Sequence, residues 1–224
     1  MQDLEFKTGV IKPLDCVKEG FEQIKNDYWL LFAIWLVGGI LGGVSLLIAA
    51  GALTCGIFYC YLRKIDGYEI KFDDLWKGMQ WFVPGLILVL IIAVPMFFVY
   101  GLIYVPIILS AVMGSRLNQD ELIGLLVGAF VVEFFLVVIM VCIHTLLMFS
   151  FPLIVDRNLS TVKAITTSAR AVLKNLGGVA GLMGVNFLLA LAGYAAVCVG
   201  IYFVIPIILA ANVVAYRKVF PSLK

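Results

Sequence analysis

The chain has 224 residues, of which 63% are hydrophobic and 13% are charged, and its formal net charge is +2. A soluble domain of this size could not bury so much apolar surface, which excludes an ordinary water-soluble protein. The small net charge, without a basic run interleaved with aromatic residues, argues against nucleic acid as a partner. We therefore expect an all-α polytopic membrane bundle.

Residues 1–27 carry mixed charge and are predicted to form a cytoplasmic amphipathic segment. Within it, Val17, Phe21 and Ile24 recur at helical spacing with polar residues between them. The first apolar run begins only at Tyr28, whereas a signal peptide would place its apolar region much earlier. We expect the segment to lie along the membrane surface.

The apolar stretches from residue 28 to residue 216 are predicted to form one membrane domain of about six spans. A spanning helix needs about 20 apolar residues. Glycines at 38–39 and 42–43 predict a turn or kink that divides the first stretch into a hairpin. Pro95 and Pro106 predict one long kinked third span, with two short spans as the alternative. The predicted spans are 28–45, 47–63, 82–113, 122–150, 177–194 and 197–216, followed by a cytoplasmic tail at 217–224.

Basic residues cluster before the first span, after the second, after the fourth and after the sixth. With six spans these clusters all fall on one side of the membrane, and only Arg116 falls on the other. The positive-inside rule identifies the clustered side as the cytoplasm. Both termini are therefore predicted to be cytoplasmic, whereas a five-span arrangement would split the clusters between the two faces.

Amphipathic segments precede three of the apolar stretches, which suggests a repeated unit of one surface helix followed by a membrane hairpin. One such segment is 72–82. Another is 161–174, with Ser160 as the predicted N-cap and Val162 and Val172 on the apolar face. The alternative is that these segments are ordinary polar connectors, some of which are amphipathic.

Two short motifs resemble a broad group of uncharacterised prokaryotic multi-pass membrane proteins, which are related to the membrane domain of some glycerophosphodiester phosphodiesterases. The first is the run Phe151-Pro152-Leu153-Ile154-Val155-Asp156-Arg157-Asn158-Leu159-Ser160, and the second comprises Arg63–Gly67 and Phe72–Gly78. The resemblance implies a fold and a prokaryotic cytoplasmic (inner) membrane, but no reaction. In those phosphodiesterases the chemistry lies in a separate soluble domain that has no counterpart in this sequence.

Four polar residues inside the predicted spans are candidates for a substrate or ion site. Glu133 stands out because a carboxylate inside a membrane is costly. His144 lies eleven positions further on the same span, close to three helical turns away. Asn186 and Asn212 lie in the fifth and sixth spans. The four residues form either a polar track or, the interpretation we favour, a neutral packing carboxyl and interhelical hydrogen bonds.

No catalytic or cofactor motif occurs in the sequence, and its five cysteines lack metal-site spacing. We therefore predict no cofactor, no metal and no enzymatic activity. The leading hypothesis is an accessory or scaffold subunit of a membrane complex, or an envelope-maintenance protein. The alternative is a small transporter or lipid-handling protein that uses the region around Glu133. Membrane lipids are the expected partners, with other membrane subunits or further copies of the chain as additional partners left open.

Overall fold

Helices make up almost all of the structure, a computed structural model that describes residues 5–113, 118–196 and 199–222. Within these ranges there is no β-strand, and the predicted all-α class is confirmed. Short 3₁₀ segments lie at Lys25–Asp27 and Phe72–Trp81. The α-helices are α1 (Pro13–Ile24), α2 (Tyr28–Val44), α3 (Ala50–Ile65), α4 (Phe82–Met113), α5 (Gln119–Leu147), α6 (Ser150–Arg157), α7 (Thr161–Lys174), α8 (Leu176–Ala195) and α9 (Gly200–Val219).

Five helical stretches are long and apolar enough to cross a membrane. The second predicted span is not among them, because α3 has 16 residues and a rise of 1.5 Å per residue gives it only about 24 Å. The third predicted span is a single helix, α4, over the predicted bounds. The five stretches are Pro13–Val44, Phe72–Leu102, Gln119–Arg157, Leu176–Ala195 and Gly200–Val219.

The chain divides into two compact units. The first, here the base unit, comprises residues up to Val89 and from Thr145 onward, and the second, here the hairpin unit, comprises Leu90–His144. The buried hydrophobic side chains are concentrated in the base unit, whereas large apolar side chains of the hairpin unit are mostly exposed.

In the base unit, α2 and α3 form the predicted helical hairpin, but the turn lies after the glycines and not within them. Leu46 and Leu47 adopt left-handed backbone angles, with φ of 50° and 72°, so residue 47 belongs to the turn and α3 starts at Ala50. Gly38 and Gly42 instead let the two helices approach closely. A Cβ at Gly42 would lie 3.2 Å from the Cα of Ala50, nearer than most Cβ contacts.

The 3₁₀ segment Phe72–Trp81 crosses α3 at glycine contacts. A Cβ at Gly56 would lie 2.0 Å from the carbonyl oxygen of Leu75, and one at Gly78 would lie 2.1 Å from that of Ala52. Only glycine permits such an approach of two backbones. The segment is therefore held against α3 inside the protein and is not a free connector.

The first amphipathic segment forms helix α1, which packs along α9 in the base unit. Gly20 of α1 lies against the backbone of Ala210 and Ala211, where a Cβ would meet atoms at 2.9 to 3.2 Å. Ile24 is fully buried, whereas Phe21 is 43% exposed. The predicted helix is thus present, but part of its apolar face contacts protein.

The third amphipathic segment is helical over the predicted residues 161–174. Ser160 occupies the N-cap position, although its side chain makes no capping hydrogen bond. Val172 is buried in the protein while Val162 is 69% exposed, so the predicted apolar face is divided between a protein contact and the surface. The hydroxyl of Ser168 donates to Leu146 O at 2.7 Å.

The hairpin unit consists of the parts of α4 and α5 that lie between residues 90 and 144. Asn118 and Glu121 form a capping box at the start of α5. The backbone amide of Asn118 donates to Glu121 Oε2 at 3.0 Å, and the backbone amide of Glu121 donates to Asn118 Oδ1 at 2.9 Å. This arrangement satisfies two free amides at the helix start. Arg116, the one basic residue predicted on the far side, lies outside the described residues.

Candidate functional site

Glu133 is the central residue of α5. The helix has 29 residues, so Glu133 lies about 21 Å from either end at 1.5 Å per residue. Its neighbours Val132 and Phe134 are 58% exposed. A bilayer has a hydrocarbon core about 30 Å thick, so a helix of this length that crosses it holds Glu133 near the middle of the membrane.

The Glu133 side chain lines a groove between the two helices of the hairpin unit. The groove has a volume of about 420 Å³, and every other residue that lines it is apolar or glycine. On α5, a Cβ added at Gly124 or Gly128 would have no atom of the described residues within 4 Å, apart from its chain neighbours and its own helix backbone. The lining residues are Leu102, Val105, Leu109, Gly124, Leu125, Gly128, Ala129, Val132, Glu133 and Leu136.

Among the described residues, Glu133 has no hydrogen-bond or ion-pair partner. Neither α4 nor α5 contains a lysine or arginine that could pair with it. A carboxyl group in hydrocarbon without a partner is costly. The groove therefore presents a polar group whose hydrogen-bonding capacity the described residues leave unused.

His144 does not join Glu133 in a common site. The two residues lie on the same helix, about 16 Å apart along its axis. His144 is exposed, and its Nδ1 lies 3.3 Å from the carbonyl oxygen of Met140 in its own helix. Glu133 and His144 are therefore two separate polar groups on α5.

The other two predicted residues meet each other in the base unit. Asn186 Nδ2 donates to Asn212 Oδ1 at 2.9 Å, which joins α8 to α9. Asn186 is 6% exposed, and its Oδ1 accepts no hydrogen bond from the described residues. The pair acts as an interhelical hydrogen bond of the kind predicted, and Asn186 directs its amide group to Asn212.

An ionic network in the base unit was not predicted from the sequence. It comprises Asp66 after α3, Asp156 in α6, and Tyr216 and Arg217 in α9. Arg217 donates two hydrogen bonds to Asp66, from Nε to Oδ1 at 2.8 Å and from Nη2 to Oδ2 at 2.6 Å. Its Nη2 also lies 2.8 Å from Asp156 Oδ1. The hydroxyl of Tyr216 donates to Asp156 Oδ2 at 2.7 Å. The network thus joins three helices at their polar ends.

Further polar contacts surround this network. Arg157 Nε lies 2.9 Å from Asp156 Oδ2, an ion pair without the alignment of a hydrogen bond, and its Nη2 donates to the carbonyl oxygen of Pro221. Lys218 pairs with Glu19 of α1 at 2.9 Å. The side chains of Arg157 and Asp156 are 7% and 14% exposed, so water screens this group only in part.

The two described ends of the chain meet close to this network. The amide of Lys7 donates to Val219 O at 2.9 Å, and the rings of Phe6 and Phe220 lie 5.9 Å apart. Asn175, which separates α7 from α8, accepts a 2.7 Å hydrogen bond from the Gly9 amide. The N-terminal segment, the end of α9 and the start of α8 are therefore held together at one end of the base unit.

The partners in this network lie 60 to 151 positions apart, so no local pattern connects them. The available signal was that Asp66, Asp156 and Arg217 each stand where an apolar stretch ends. The described residues contain no group of three or more histidine, cysteine or acidic side chains that could hold a metal.

No family model, curated protein or solved structure matches the chain.

Proposed function

We propose that this chain is a non-enzymatic integral membrane protein of a prokaryotic cytoplasmic membrane, acting as an accessory or scaffold subunit. The observation that carries the proposal is the contrast between the two units. The base unit buries its core and pairs its charges at one end, whereas the hairpin unit exposes side chains such as Phe130 and Phe134 at 69% and 58%. Apolar surface of this extent is typical of a lipid-facing or subunit-facing element.

The proposed orientation has both termini in the cytoplasm. Its support is that Phe6 contacts Phe220, because two chain ends that touch lie on the same side of a membrane. In addition, Lys64 near the end of α3 pairs with Asp27 just before α2, so α3 returns to the level where α2 begins. Both contacts require an even number of crossings, so the proposal counts α3 as a crossing in addition to the five longer stretches. The basic clusters favour the cytoplasm as the side of both termini.

The subunit proposal is tested by extracting the protein with its native lipids in polymer-bounded discs and measuring the intact mass of the particles. The chain has a mass of 24.6 kDa. We expect particles that contain this chain and at least one further polypeptide, identical or different, in a fixed ratio. Particles that contain a single copy and lipid alone would contradict the proposal.

A second candidate function is a small transporter or lipid-handling protein, favoured specifically by the groove of about 420 Å³ at Glu133. The variant Glu133→Gln separates the two functions, because glutamine keeps the size and hydrogen-bonding capacity but cannot release a proton. A scaffold tolerates this change. If a correctly folded Glu133→Gln protein fails to restore what cells lose when the gene is deleted, while the wild-type protein restores it, the transporter is favoured.

A further inference from the structure

We propose that the groove of the hairpin unit is a self-association surface, which receives the hairpin of a second copy of this chain and pairs the two Glu133 carboxyl groups. This proposal rests on the proposed subunit function and names the partner. Three features of the groove lead to it: the carboxyl without a partner, the open glycines beside it, and the self-complementary chemistry of the carboxyl group.

The unpartnered carboxyl supplies the driving force. Helices in a bilayer gain little from apolar contact alone, because lipid tails are as apolar as leucine side chains. A polar group that finds a hydrogen-bond partner across a helix interface does favour association. Glu133 lines the groove and makes no hydrogen bond within the described residues, so an approaching helix that carries a partner at the same depth is preferred over lipid.

The open glycines allow that helix to come close. Gly124 and Gly128 are four residues apart on α5 and line the same groove as Glu133. Within the part of the chain that the structure describes, no group outside its own helix backbone lies within 4 Å of a Cβ added at either glycine. Gly42 and Gly56, in contrast, are already covered inside the base unit. Small residues at this spacing permit close helix packing, and here the contact they permit is still unused.

A second copy meets the chemical requirement at Glu133. Because α4 and α5 contain no lysine or arginine, a second hairpin brings no cation. It brings another carboxyl, and a protonated carboxyl is both a donor and an acceptor. Two copies with the same membrane orientation are related by a two-fold axis along the membrane normal, which places both Glu133 residues at one depth. In this pair each carboxyl group hydrogen-bonds to the other.

The test measures association of the full-length chain in phosphatidylcholine vesicles. Donor and acceptor dyes are attached to the C-terminus of separate preparations, and energy transfer is followed as the lipid-to-protein ratio rises. Glu133→Gln should associate as wild type does, since the amide also donates and accepts. Glu133→Leu should dissociate at a lipid-to-protein ratio roughly three to ten times lower than that of wild type, the range expected for loss of one interhelical hydrogen bond.

Gly128→Leu should weaken association at least as much, because leucine fills the groove. The matched control is Gly101→Leu on α4, where the glycine is also open but does not line the groove; it should leave association unchanged. Circular dichroism verifies that each variant stays helical, and any variant that loses helicity is replaced by alanine at the same position.

Three results would overturn the self-association surface: wild-type energy transfer no higher than that of randomly mixed monomers, equal losses in Gly128→Leu and Gly101→Leu, or full association of Glu133→Leu. These results can be separated from the fate of the subunit proposal. If vesicles hold monomers while native discs contain a different polypeptide, the chain is a subunit but does not pair with itself. If both preparations contain single copies, both proposals fail.

Discussion

Replacing Arg217 with methionine should destabilise the base unit strongly, because one guanidinium holds two carboxylates. The side chain of Arg217 is 13% exposed, and those of Asp66 and Asp156 are 21% and 14% exposed. In Arg217→Met both carboxylates lose a cation with little access to water. Asp156 keeps the Tyr216 hydroxyl and the nearby Arg157, whereas Asp66 loses both of its side-chain hydrogen bonds to Arg217.

Removing one partner of a fully buried ion pair costs about 3–5 kcal/mol. These groups are partly exposed, so water can solvate the unpaired carboxylates and reduce this cost. We therefore expect a loss of about 2–3 kcal/mol in the free energy of unfolding. The neighbouring residue provides the control. Lys218 pairs with Glu19 at side-chain exposures of 24% and 48%, and Lys218→Met should cost no more than about 1 kcal/mol.

The two variants are compared by reversible unfolding in mixed micelles of dodecylmaltoside and dodecyl sulfate, followed by circular dichroism and tryptophan fluorescence. The double variant Arg217→Met with Asp66→Asn should recover part of the loss, because it removes the carboxylate that was left unpaired. Equal stabilities of Arg217→Met and Lys218→Met would refute the assignment of the network as a structural clamp.

Three further stability predictions use the same assay. Gly78→Ala should lower the free energy of unfolding by at least about 1–3 kcal/mol, because its Cβ would lie 2.1 Å from a backbone oxygen. Gly39→Ala, at an open helical position, should be neutral or stabilise by up to about 1 kcal/mol. Similar effects of the two substitutions would contradict the close crossing. Ser168→Ala should cost about 1–3 kcal/mol, since it leaves the amide of Phe149 and the carbonyl of Leu146 without their hydroxyl partner. Asn186→Leu should cost about 1 kcal/mol through loss of the α8–α9 hydrogen bond, and an unchanged stability would show that this bond contributes nothing.

The apolar patterning was sufficient to predict the helices, because a membrane helix depends mainly on a continuous run of apolar residues. The third predicted span is a case in point, since its residues 82–113 coincide with helix α4. Residues 161–174 likewise form the predicted helix. The local position of the first turn was less predictable, because glycine is compatible with both a turn and a close helix contact. Gly38 and Gly42 have the second role here.

The polar contacts were predictable only where a residue inside an apolar stretch has few possible hydrogen-bond partners. Asn186 and Asn212 were expected to join helices, and they do so. The network at Arg217 could not be derived, because its partners are distant in sequence and charged residues at span ends are ordinarily solvated. Trp81 illustrates the same difficulty. A tryptophan at the start of an apolar stretch is typical of an interfacial aromatic belt, yet Trp81 is 7% exposed and its indole nitrogen donates to Asn158 Oδ1 at 3.0 Å.

That the hairpin unit crosses the membrane and returns is tested most directly by cysteine labelling in intact cells, with the native cysteines replaced by alanine. Single cysteines at Asn118 and Asn158 are treated with a maleimide that does not cross the membrane. Asn118 is exposed at the start of α5, and we expect it to label from outside. Asn158 should label only after the membrane is permeabilised. Two results would contradict a crossing hairpin with cytoplasmic chain ends. One is labelling of the cysteine at position 158 in intact cells. The other is a cysteine at position 118 that is protected in intact cells but labelled in inverted vesicles.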